Sequence, residues 1–113
     1  MKTNEAIRAL GALAQETRLG IYRMLVQAGP EGLPAGEIAG RLGLAPPAAS
    51  FHLAQLSHAG LARSRSQGRF VIYSADFERM TGLVAFLTEN CCGGESCGPV
   101  PVACPPIKKG TKR

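Results

Sequence analysis

A chain of 113 residues with 45% apolar residues has room for one domain with a modest core, and at that size it folds without disulfide staples. Residues 1–30 hold no uninterrupted apolar stretch of signal-peptide kind, and no apolar run approaches the ~18 residues needed to cross a bilayer, so a cytoplasmic protein with no membrane partner is expected. The formal charge of +5 is a weak pointer to nucleic acid, because Lys108, Lys109, Lys112 and Arg113 supply +4 of it and leave +1 for residues 1–107.

Asn4 to Ala14 place Ile7, Leu10 and Ala14 at helical spacing behind Asn4 as N-cap, which predicts a first amphipathic helix whose apolar face needs a partner. Glu16 to Ala28 predicts a second helix, marked by Leu19, Tyr22, Leu25 and Val26, stopped by Gly29-Pro30 and followed by a loop from Glu31 to Pro34. A short third helix, Ala35 to Leu42, turns Ile38, Ala39 and Leu42 inward and ends at Gly43. The fourth follows at once. Pro46-Pro47 suit a helix's first turn, which has no internal acceptor for their missing N–H groups; Ala49, Leu53 and Leu56 then recur at i, i+4 and i+7, and Gly60 closes the helix. Two helices joined by a tight turn form a helix-turn-helix.

Beyond Gly60 the period changes. Leu61 to Ser66 and Arg69 to Ser74 read as strands reversed at Gln67-Gly68, a two-stranded wing. Asp76 caps a last helix reaching Asn90, with Met80, Leu83, Val84 and Leu87 as its apolar stripe and Phe77 and Phe86 beside it. The fold expected is mainly α with a small β-wing: a winged helix-turn-helix of four helices, two strands and a fifth helix. The first and last helices carry more apolar surface than so small a core uses, so a homodimer through both is expected. Residues 1–90 are expected to form one domain, for which the helix-turn-helix suggests DNA binding alongside dimerisation. Residues 91–113 shift to Cys, Gly and Pro and are expected to be a cysteine-containing ligand-binding segment, with Gly98 to Arg113 a mobile basic tail.

Charge is placed more tellingly than its sum suggests. Leu61 to Ala75 carries Arg63, Arg65 and Arg69 with no acid, whereas Asp76 to Cys97 carries Asp76, Glu78, Glu89 and Glu95 against Arg79 alone. Cys91, Cys92, Cys97 and Cys104 all follow residue 90. They are therefore not core staples, and in a reducing compartment they read as ligands or reactive thiols.

Taken in order, Glu16-Thr17-Arg18-Leu19, Glu37-Ile38-Ala39, Ser50-Phe51-His52-Leu53, Leu56, Ala59-Gly60-Leu61, Gly68-Arg69 and Tyr73 resemble the ArsR/SmtB winged-helix metalloregulators over roughly two thirds of the chain. The resemblance implies a repressor that binds operator DNA as a dimer and needs no cofactor to do so. Burial of Ala49, Leu53 and Leu56 leaves Pro47, Ala48, Ser50, Phe51 and Ala54 on other faces of the fourth helix, toward a major groove, with the first four as the candidate contacts. Ser50 suits a base edge or a phosphate and Phe51 a thymine methyl, with packing of Phe51 against the wing as the competing reading. His52, next to the buried face, reads as a structural histidine rather than a metal ligand, and His58 has no carboxylate or thiol near it in sequence. On the wing, Arg65 and Arg69 are the favoured DNA contacts. A dimer would set two reading helices one DNA turn apart, ~34 Å, and so read an inverted repeat in double-stranded operator DNA.

Two sites usual in that family are absent. The start of the third helix reads Leu33-Pro34-Ala35-Gly36-Glu37 without a thiol, and the last helix has no histidine. What remains, Asn90-Cys91-Cys92-Gly93-Gly94-Glu95-Ser96-Cys97, resembles the arsenic-responsive subset whose ligands lie just past the last helix. Cys91, Cys92 and Cys97 are the candidate metal ligands, and trivalent arsenic or antimony is the expected inducer: arsenite, antimonite or methylarsenite. Soft thiols select such centres. A helix C-terminus, Glu89 and Glu95 all disfavour bare thiolates, and three thiols on arsenic give a neutral complex where zinc on four thiolates gives a dianion. Zinc, cadmium or lead with Cys104 as a fourth ligand, and reversible thiol oxidation, are the alternatives. A thiol enzyme is disfavoured by the lack of a Cys-x-x-Cys on a helix N-terminus and of an acid–base pair near the thiols. A metal-storage protein is the remaining rival.

Overall fold

The computed structural model describes residues 1–94. It consists of α1 (Thr3–Leu13), α2 (Glu16–Ala28), β1 (Leu33–Pro34), α3 (Ala35–Leu42), α4 (Pro46–His58), β2 (Ala62–Gln67), β3 (Phe70–Ala75) and α5 (Phe77–Leu87), followed by a 3-10 turn at Cys91–Gly94. Cys97, Cys104 and the expected basic tail lie outside the described residues.

Local signals account for most element ends. The Gln15 side chain accepts from the Arg18 N–H at 2.8 Å and opens α2, and Gly43, at φ 64°, ends α3 while the Leu44 N–H returns to the Ala39 carbonyl. Pro46 and Pro47 occupy the first turn of α4. Asp76 caps α5 as expected, its Oδ1 accepting from the Arg79 N–H at 3.0 Å. Three ends differ. α1 is capped two residues earlier than expected, at Lys2, whose N–H donates to Glu5 at 2.9 Å, rather than at Asn4. The hairpin turn is Gly68-Arg69, because Gln67 pairs with Phe70 and the left-handed φ of 63° falls on Gly68. α5 stops at Leu87, three residues short of Asn90, where the Thr88 hydroxyl donates back to the Val84 carbonyl and Asn90 is left-handed.

The sheet has three antiparallel strands in the order β1-β3-β2. β1 replaces part of the expected loop: Leu33 and Pro34 pair with Tyr73 and Ile72. Gly32 permits this approach. At φ 76° it lies so close to β3 that a Cβ there would sit 2.2 Å from the Tyr73 carbonyl oxygen.

The core is built from Ile21, Tyr22 and Leu25 of α2, Ile38 of α3, Leu53 and Leu56 of α4, and Leu61, closed by Ala6 and Ala9 of α1 and Leu83 of α5. The side of α1 that meets the core is its alanine side. Small Ala6 and Ala9 let the helix approach the body closely, and Ile7 (64% exposed) and Leu10 point away. On α3, Ile38 and Ala39 are buried as expected, but Leu42, expected inward, is exposed at the end of the helix, and on α2 Leu19 is exposed too. On α5, Leu83 is buried but Leu87 is 57% exposed. The apolar surplus on α1 and α5 is thus at the surface, where a second copy would bury it. Among the described residues no helix is long and apolar enough to cross a membrane.

Candidate nucleic-acid interface and cysteine turn

Burial of Ala49, Leu53 and Leu56 anchors α4 on its inner side, and the opposite side is what a groove would meet. Pro47 and Ser50 are exposed, Ala48 is half-buried, and Phe51 is 57% exposed. The Phe51 ring meets His52 edge-on, with centroids 5.5 Å apart and planes at 66°. That contact lies within α4, so the ring is steadied by its neighbour in the helix and still presents apolar surface outward. His52 is half-buried, and its Nδ1 lies 3.2 Å from Arg18 Nη1, the satisfied structural histidine expected.

The wing sorts its three arginines. Arg63 faces Asp76 at 3.2 Å and Glu78 at 3.9 Å, so its charge is answered within the protein. Arg65 donates to the Glu31 carbonyl at 3.0 Å, bracing the ribbon against the loop before β1. Arg69 stands exposed in the turn. The register sets Arg63, Arg65 and Gln67 opposite Ser74, Ile72 and Phe70, so Arg65 and Phe70 share one face of the ribbon. Phe70 is 61% exposed beside Arg69, in the part of the ribbon that lies beyond the pairing with β1.

Behind these surfaces lies Tyr22, buried in the core, with no hydrogen-bond partner for its hydroxyl among the described residues. Burial, and then the nearby Asp76 carboxylate, push its phenol from 10.0 up to about 12. Glu5 is held below the usual carboxylate range, first by the Lys2 N–H it accepts and further by Arg79, which lies 3.8 Å away on α5 and ties the two outer helices together.

The cysteine turn hangs on the end of α5. The Cys91 N–H donates to the Thr88 carbonyl at 3.0 Å, and Asn90, Cys92 and Gly93 have φ of 57°, 56° and 69°. Three left-handed residues in four wind the chain tightly, so Cys91 is half-buried and Cys92 exposed. Cys92 is disulfide-bonded. Of the three candidate ligands, two are brought side by side here and the third, Cys97, is outside the described residues. Arg18 was read in the sequence only as part of a motif; nothing local signals that its guanidinium meets α4.

Residues 13–65 match the family described as Helix-turn-helix domain. Over 88 residues, 78% of this chain, the sequence is 33% identical to the transcriptional activator HlyU of Vibrio cholerae serotype O1, covering 79% of that protein. It is equally identical, over the same share, to the HTH-type transcriptional regulator YgaV of Escherichia coli K12, covering 87% of it. Among solved structures, an ArsR-like transcriptional regulator from Rhodococcus sp. RHA1 superposes with a TM-score of 0.67 at 28% identity, covering 80% of this chain and 82% of that one. A possible transcriptional regulator for arsenical resistance gives 0.62 at 28%, covering 70% and 79%. The homodimeric winged helix-turn-helix domain of Mb0332 from Mycobacterium bovis, a possible ArsR-family regulator, gives 0.62 at 26%, covering 82% and 86%. Its relatives are regulators and not enzymes, and with its helix-turn-helix and the β2-β3 wing the chain belongs to the ArsR family of winged helix-turn-helix transcriptional regulators.

Proposed function

We propose that this regulator is a cytoplasmic repressor, that a homodimer joined through α1 and α5 reads an inverted repeat, and that trivalent arsenic or antimony bound by Cys91, Cys92 and Cys97 releases it. Residues 1–90 carry the DNA-binding and dimerisation work, and 91–113 the ligand. The observation that carries this reading is the position of Cys91 and Cys92 in a tight turn on the end of α5. α5 also carries exposed Leu87 of the expected dimer face, so closing sulfurs round an ion there pulls on the helix that sets the spacing of the two reading heads. Arsenous acid condenses with three thiols and loses three waters. A structural neighbour described as a possible regulator for arsenical resistance adds support. On DNA, Pro47, Ala48, Ser50 and Phe51 enter the major groove, and Arg65 and Arg69 meet the backbone beside it.

The test is fluorescence anisotropy of promoter DNA under reducing conditions, titrated in turn with arsenite, antimonite, zinc and cadmium. Arsenite or antimonite releases the wild type, and Cys92→Ser binds DNA normally but is not released. Equal release of both proteins overturns the reading. The repressor sign is checked with a reporter, since HlyU is named an activator.

The disulfide at Cys92 favours a second reading, thiol-redox sensing. Two thiols become a disulfide by giving two electrons and two protons to an oxidant such as a peroxide. The readings compete for one sulfur, and release by peroxide without arsenite, reversed by dithiothreitol, selects the second.

A further inference from the structure

Two segments that carry the family resemblance, Glu16-Thr17-Arg18-Leu19 and Ser50-Phe51-His52-Leu53, stand 34 residues apart at Arg18 and His52 and meet through one guanidinium. Arg18 lies in the first turn of α2. Its Nε donates to the Ala12 carbonyl at 2.8 Å, in the last turn of α1, where carbonyls lack helical partners. Its Nη1 reaches His52 Nδ1 at 3.2 Å. A guanidinium can only donate, so Nδ1 is the acceptor and the proton of the neutral ring is held on Nε2. The ring so fixed is the one that meets Phe51 edge-on, and Ser50 precedes Phe51 on the exposed side of α4.

We propose that Arg18 is a positioning residue for DNA binding: its guanidinium bridges Ala12 and His52, locking the reading helix α4 to the end of α1. The proposal rests on α4 as the reading helix and is independent of which ligand the cysteines take. A planar fork spans two acceptors on two elements, which a lysine ammonium, a single point of charge, does not. Since α1 belongs to the expected dimer face, the bridge also fixes where Ser50 and Phe51 stand relative to a second copy.

The experiment measures operator affinity and its salt dependence for wild type, Arg18→Lys, His52→Asn and His52→Gln, with thermal unfolding of each. The Oδ1 of asparagine sits near the place of Nδ1, and the amide of glutamine near that of Nε2. Arg18→Lys is expected to weaken binding roughly tenfold with the salt slope unchanged, since Arg18 meets no phosphate. His52→Asn retains affinity within roughly threefold, because it preserves the acceptor, and His52→Gln falls with Arg18→Lys. In nitrogen-15 spectra the wild-type His52 shows an unprotonated Nδ1, and the preference weakens in Arg18→Lys. Wild-type affinity in Arg18→Lys, equal affinity of the two histidine variants, or a salt slope reduced by about 0.9, the mark of a direct phosphate contact, each overturns the proposal. Should the wild type bind no DNA, the reading of α4 itself fails, an outcome distinct from these.

Discussion

The reading helix and the cysteine turn are held in opposite ways. α4 buries Ala49, Leu53 and Leu56, with Leu53 and Leu56 fully enclosed, and is tied from behind through His52 to Arg18. The turn at Cys91–Gly94 carries a backbone bond from Cys91 to Thr88, a run of left-handed residues and a disulfide at Cys92. The outer surface of α4 is thus set by the core, and the cysteine turn by the end of α5. On the function proposed above, damage to the body reaches DNA binding directly, and chemistry at the cysteines reaches it through α5.

Leu53→Ala is the most severe way to strain this contrast. It opens a cavity beneath Ser50 and Phe51 and is expected to cost about 2–5 kcal/mol of stability, read by chemical denaturation, with DNA binding lost in proportion. A loss of binding without a loss of stability would show that Leu53 acts other than by packing. Next comes Arg69→Ala at the exposed turn of the wing, expected to weaken binding severalfold, to reduce the salt slope by roughly 0.9 and to leave stability unchanged. An unchanged slope removes Arg69 from the DNA contacts.

Tyr22 probes the core by pH. Its phenol is pushed from 10.0 to about 12, so the folded state holds the proton more tightly than the unfolded chain. The stability it contributes is whole below pH 10 and is lost as pH rises from 10 through 12. Tyr22→Phe removes that slope and, because the hydroxyl has no partner among the described residues, costs less than about 1 kcal/mol at pH 7; a larger loss would reveal a hydrogen bond to the hydroxyl. The smallest effect on the fold belongs to Cys92→Ser, which under reducing conditions is expected to leave the melting temperature within about 1 °C of wild type while abolishing release by arsenite. A clear drop in melting temperature would make the turn part of the body after all.

How much was legible beforehand varies by element. The inner side of α4 was readable because Ala49, Leu53 and Leu56 recur on one helical face and the paired prolines mark its start. Pro47, Ser50 and Phe51 followed as the exposed remainder. β1 was not readable: two residues, one a proline, have no periodicity, and they become a strand only because Gly32 lets them lie against Tyr73. The sorting of the arginines was half readable. Alternation put Arg63 and Arg65 on one face, but the acids that occupy Arg63 and the carbonyl that braces Arg65 come from α5 and from the loop before β1.

The sequence by itself determined the order and approximate bounds of five helices and a wing, the basic character of the ribbon and the clustering of the cysteines after residue 90, because caps, periodicity and composition act over a few neighbouring residues. Only the tertiary structure decided that α1 buries Ala6 and Ala9 and turns Ile7 and Leu10 outward, that β1 completes the sheet, and that Arg18 reaches His52. Each of those depends on groups distant along the chain competing for the same space, and close packing admits only the side chains that fit together.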